Sequence, residues 1–187
     1  MTGIRMEDKL NIGGVKFTEN IALLSIVEPV SRQIPGQISG SISKKETAML
    51  FFSLLSENEI NISMLSRITD DKTVRTDCSV AENNLHKIYK LSSPFPELKE
   101  RLKVLHNLGA ISIYPHKSRM KLLGKILFAF GKKKIPVYNM TSSISSFTFL
   151  TECDCLDKAV EALEDNFMLP ENHAPFQQQF CIKHVHK

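Results

Sequence analysis

One apolar stripe at helical spacing occurs twice in this chain, each time in the same company, and that internal repeat narrows the possible folds more than any other feature. Ala48, Phe51, Phe52 and Leu55 fall at i, i+3, i+4 and i+7, as do Leu123, Ile126, Leu127 and Phe130, a spacing that puts one apolar face on a helix. Ahead of the first stripe, residues 21–27 form a β-rich apolar run ending at Glu28-Pro29, and 31–43, rich in Gly, Ser, Pro and Gln, follow as a long loop. Behind it, Ile60, Ile62 and Met64 alternate with Asn61 and Ser63, Asp70-Asp71-Lys72 makes a turn, and 73–80 alternate again. That pattern predicts a hairpin.

The second stripe has a strand before it at 110–114 and a hairpin after it at 137–142 and 145–151. Between the copies, 84–91 form a short amphipathic piece, and 96–107, with Leu98, Leu102 and Leu105, read as a helix terminated by Gly109. Gly131 and three lysines close the helix of the second stripe in the sense the helix dipole favours. Leu156, Ala159, Val160, Leu163 and Phe167 then predict a last helix, opened by Cys153-Asp154-Cys155 with Asp154 or Asp157 as cap, and 176–185 a last strand.

The repeated order is strand, helix, hairpin, helix, strand, the split βαβ plan of ferredoxin-like domains. The expected class is therefore α+β: two βαββαβ units, each an antiparallel four-stranded sheet with helices on one face. Two full copies need a closing and an opening strand between 107 and 121, where the pattern offers one. Residues 12–17 can supply the other, which interleaves the units. The division expected is a tail at 1–11, a first unit at 12–108 and a second at 109–187, with strand 12–17 lent to the second.

At 187 residues with 42% hydrophobic side chains the chain can bury a core without disulfides or metals. Its net charge of +4, from 24 basic and 20 acidic residues, is too small to mark a dedicated nucleic-acid binder. Cysteines at 78, 153, 155 and 181 lack the spacing of a zinc ribbon or a disulfide scaffold, so a reducing cytoplasm is the expected home. No apolar run has signal-peptide or membrane-span length, so no membrane contact is expected.

The repeat resembles a tandem pair of ACT domains, most closely the regulatory C-terminal half of aspartate kinases. Gly13-Gly14-Val15-Lys16-Phe17 through Asn20-Ile21-Ala22-Leu23-Leu24-Ser25-Ile26 is similar to the family's entry strands, and Phe51-Phe52-Ser53-Leu54-Leu55 through Ile60-Asn61-Ile62 to its helix and following strand. Lys125-Ile126-Leu127-Phe128-Ala129-Phe130, Ser142-Ser143-Ile144-Ser145-Ser146-Phe147 and Asp157-Lys158-Ala159-Val160-Glu161-Ala162-Leu163 resemble its final helix, hairpin and helix. Where the family often carries Pro-Gly at the first helix of each unit, this chain has Lys45-Glu46 and Met120-Lys121. The Gly-rich loop and clustered carboxylates of phosphoryl transfer are missing from these residues. The resemblance thus implies a non-catalytic, allosteric regulatory module that forms a homodimer, binds a small amino acid and acts on a partner enzyme, or else a protein-interaction subunit with degenerate pockets.

The resemblance also places the candidate ligand residues. In the first unit these are Ser41, Ser43, Lys45 and Glu46 at the loop and helix start, with Asn61 and Ser63 at the opening of the next strand; in the second they are Ser118, Arg119 and Asn139. Unpaired N–H groups at a helix start suit a carboxylate. The first unit is expected to hold the ligand, its carboxylate near Lys45 and Glu46 and its ammonium near Asn61. No cofactor or metal is expected: Cys153, Cys155, His184 and His186 form pairs that lack a closing constellation. The basic run at Lys132–Lys134 has no interleaved aromatics of the kind that stack on bases, which argues against nucleic acid.

Overall fold

The computed structural model describes residues 9–30, 47–114 and 120–169. In chain order the elements are β1 (Leu10–Asn11), β2 (Gly14–Pro29), α1 (Thr47–Glu57), β3 (Met64–Thr69), β4 (Thr73–Ala81), α2 (Leu85–Ser92), α3 (Pro96–Arg101), β5 (Leu102–Tyr114), α4 (Met120–Lys132), β6 (Asn139–Ser142), β7 (Phe147–Glu152), α5 (Leu156–Asn166) and β8 (Phe167–Met168). Short 3-10 turns at Glu82–Asn84 and Cys153–Cys155 lead into α2 and α5. Asn20–Asn107 forms one compact unit, and the described parts of Met1–Glu19 and Leu108–Lys187 form the other.

Both divisions fall inside long strands, and each falls at an asparagine in the left-handed region, Asn20 at φ 58° and Asn107 at φ 55°. Asparagine tolerates that conformation better than most side chains. The Glu82 carboxylate accepts a hydrogen bond from the Asn107 N–H at 3.3 Å. The hydrogen-bonded strand order is β3-β4-β2-β5-β7-β6, and the division between the units falls within β2 and within β5. The two long strands thus serve both units.

In the first unit, β2 and β4 pair antiparallel with Ala22 opposite Val80 and Leu24 opposite Cys78. Alternate residues share a sheet face. Ala22, Leu24, Ile26, Cys78 and Val80 therefore form one surface, and Phe51 and Leu55 of α1, Leu85 and Ile88 of α2 and Leu98 of α3 pack on it. The second unit repeats the plan: Ile111 and Ile113 of β5 and Phe147 and Phe149 of β7 meet Ile126, Ala129 and Phe130 of α4 and Ala159, Ala162 and Leu163 of α5. Ile12 and Val15 belong to that same core. Their segment is tied down further, because β1 pairs parallel with β8 and the Lys9 ammonium donates to the Glu164 carbonyl at 2.8 Å.

The first helices end alike. Glu59 and Lys134 are left-handed, at φ 56° and 54°, and the next residues, Ile60 and Ile135, donate to the carbonyls of Leu55 and Phe130 before burying their side chains. The helix of the second stripe therefore turns at Lys134, and Gly131 lies inside it. Three further expectations are corrected. The helix read at 96–107 ends at Arg101, and from Leu102 the chain is strand. The hairpin strand opens at Met64, so Asn61 and Ser63 precede it. The N-cap of α5 is Cys155, with no side-chain capping bond from it. The expected strand at 176–185 and the loop at 31–43 lie outside the described residues.

Gly109 is inside β5 for lack of a side chain: a Cβ there would stand 2.8 Å from Leu156 Cδ1. Gly109→Ala is expected to cost about 1 to 3 kcal/mol, the usual range for overpacking. Urea denaturation would read this, and Leu156→Ala in the same chain should return part of the loss. In β7, the buried Thr151 hydroxyl has no hydrogen-bond partner among the described residues. Thr151→Val, which keeps the shape and removes the stranded hydroxyl, should stabilise the protein by about 1 kcal/mol, a gain visible as a higher urea midpoint at unchanged slope.

Candidate functional site

The strand-to-helix junction of the first unit holds a buried carboxylate. Glu28, next to last in β2, is only 7% exposed, and its side chain reaches the start of α1. The N–H of Thr47 donates to Glu28 Oε1, and the N–H of Ala48 to Oε2 at 3.4 Å. Arg101, at the end of α3, stands 3.8 Å from Glu28 Oε1 and donates to the Thr47 hydroxyl at 3.1 Å. A negative group at a helix N-terminus is favoured by the unpaired N–H groups and the helix dipole. A buried carboxylate needs such partners to offset its lost hydration.

On the other face of the same strands lies a second polar group. The Ser25 hydroxyl and Arg75 Nε both donate to Asp77 Oδ1, and the hydroxyls of Ser63 and Ser79 are 2.8 Å apart. Ser63 thus has a place in the hydroxyl row of the sheet. Asn61 is exposed on the chain leading to β3, and Asn139 is half-buried in β6. Ser41, Ser43, Lys45, Glu46, Ser118 and Arg119 lie outside the described residues. Glu28 is not among the expected ligand residues; in the sequence it ends an apolar run and opens the loop expected before the first helix.

The two units differ at this junction. Ile21 opposes Ala81 just before the Glu82–Asn84 turn, and Leu108 opposes Glu152 just before the Cys153–Cys155 turn. Counting along both strands from those matched pairs, the residue that corresponds to Glu28 is Pro115. It carries no carboxylate.

The remaining chemistry is structural. Cys78 is buried, and burial first and the charge of Asp77 second push its thiol up to about 12, so it stays protonated and a poor nucleophile at neutral pH. Burial, then the nearby Glu152, also raises the Cys155 thiol. Among the described residues no three His, Cys, Asp or Glu side chains are grouped to hold a metal ion. Lys133, within the basic run, bridges Asp165 at 3.3 Å and Glu161 at 3.4 Å, and Lys132 lies 4.6 Å from the ring centre of Phe128. At the hairpin turn, the N–H groups of Lys72 and Thr73 hold the exposed Asp70 carboxylate below its usual range. Its contribution is present above the unfolded value and fades as pH falls through the lowered one. Among the described residues no helix is long and apolar enough to cross a membrane.

Two βαββαβ units in one chain, sharing two long strands, define the tandem ACT class of fold. Solved structures bear this out at low sequence identity. The ligand-free regulatory subunit of aspartate kinase from Thermus thermophilus aligns with a TM-score of 0.66 at 15% identity, covering 84% of this chain and 99% of that one. The corresponding subunit from Thermus flavus gives 0.67 at 15% identity with the same coverage. The aspartate kinase of Clostridium acetobutylicum, a longer allosteric enzyme, gives 0.66 at 13% identity over 87% of this chain and 37% of its own. No family model matches the sequence, and no curated protein does.

Proposed function

We propose that this chain is a non-catalytic regulatory module that responds to a small amino acid and adjusts a partner enzyme of the aspartate-kinase kind, acting as a homodimer. The observation that carries this reading is the correspondence of the whole two-unit fold with a separate regulatory subunit, covered over 99% of its length. The effector position we favour is the strand-to-helix junction of the second unit, with Ser118 and Arg119 meeting the ligand carboxylate and Asn139 nearby. In the first unit Glu28 already meets the helix N–H groups, which supports a ligand in the second unit over one at Lys45, Glu46 and Asn61. A ligand that prefers one arrangement of the dimer shifts the equilibrium by that difference in affinity.

Thermal shift against the twenty amino acids tests the proposal, because a ligand specific to the native state raises the melting temperature, by about 2.7 kcal/mol of added stability at one hundred times Kd. One amino acid should stabilise the chain, and Arg119→Ala should weaken that response. If no amino acid acts at millimolar concentration, the reading fails in favour of an interaction subunit with degenerate pockets, the alternative that Glu28 already supports in the first unit.

A further inference from the structure

We infer that Glu28 is a tethered occupant of the first unit's carboxylate position: the chain supplies in cis the anion that a free ligand would bring, and so keeps that helix start closed. Three observations converge on this. The carboxylate is more than nine-tenths buried, and its oxygens take N–H groups of consecutive residues at the start of α1, an eleven-residue helix. Arg101 stands against both Glu28 and Thr47, as a guanidinium does beside a bound anion. On the same sheet face as Glu28 and one diagonal step away in the β2–β4 register, Thr76 is 3% exposed, and among the described residues its hydroxyl has no hydrogen-bond partner. Buried hydroxyls are nearly always paired, so this one is a buried polar group that the Glu28 carboxylate leaves unanswered.

The second unit is built on the same plan and carries Pro115 at the corresponding position. Glu28 is therefore a property of one unit. Its effect is that the first unit is locked and free carboxylates have no entry at α1. This follows from the first unit alone and stands whether or not the second binds an effector.

The test is chemical replacement of the side chain. Spectra of the full-length protein labelled with nitrogen-15 would follow the Thr47 and Ala48 amides during titration with sodium acetate, then with glycine, against sodium chloride at equal ionic strength and pH. In the wild type these two amides should not respond. In Glu28→Ala they should shift in a saturable manner, and the melting temperature, lowered by the substitution, should climb with acetate but not with chloride. In Glu28→Gln, where an amide fills the same space, both responses should be absent. Saturable shifts in the wild type would overturn the inference without recourse to any variant, and so would a folded Glu28→Ala chain whose amides ignore both carboxylates. Neither outcome bears on the amino-acid screen of the wild type, so failure of the effector proposal and failure of this one are told apart.

Discussion

A chain shortened to begin at Asn20 is expected to lose the second unit while the first keeps its fold. The removed segment contributes Ile12 and Val15, 3% and 0% exposed, to the second core, together with the part of β2 that belongs to that unit and all of β1. Burying two such side chains is worth about 1.5 to 3 kcal/mol each. Their loss also opens the core cluster they share with Ile111, Phe147 and Phe149 and leaves strand hydrogen bonds unmade. Domains are stable by only about 5 to 15 kcal/mol in all, so the remainder cannot hold. Hydrogen exchange read by mass spectrometry should show protection lost in α4, α5 and β7 and kept in α1, β3 and β4. A synthetic peptide spanning residues 9–19, added in excess, should restore it. Unchanged protection of β7 in the shortened chain would show that the N-terminal strand is dispensable.

The expectation of a lent strand comes from counting, because two copies of one motif leave a shortfall between them that a distant segment such as 12–17 can fill. The helices α1 and α4 were equally readable, since each buries one face at a regular period. Other elements were not. Leu98, Leu102 and Leu105 fit a helix as well as anything, yet Leu98 is helical and Leu102 is strand, because pairing with a neighbouring strand outweighs local spacing. The left-handed turns at Glu59 and Lys134 leave no glycine as a signal, while Gly131 sits inside its helix where a terminator was expected. Glu28 shows the deeper limit. Its residue type and its place at a strand end were visible, but its role depends on where the start of α1 lies in space, and the 19 positions that separate Glu28 from Thr47 in the chain hide that from any local pattern.

Phe149→Ala should be the most damaging single substitution in the second unit, at about 3 to 5 kcal/mol. Phe149 is fully buried on β7 and meets Phe130 of α4 edge to face, with ring centres 5.5 Å apart and planes at 75°. That geometry sets the positive edge of one ring against the negative face of the other and adds about 0.5 to 1.5 kcal/mol beyond the buried area. Among the described residues the first unit shows no equal: Phe51 is buried, but its aromatic neighbour Phe52 is only half-buried and tilted at 56°, with centres 5.9 Å apart. Phe52→Ala should therefore cost clearly less. Urea denaturation of Phe130→Ala, Phe149→Ala and the double variant closes a cycle in which the two single losses should sum to more than the double loss, because each alone already breaks the shared contact. Strict additivity would mean that the rings act as separate fillers of one core, and the attribution of extra stability to their mutual geometry would be wrong.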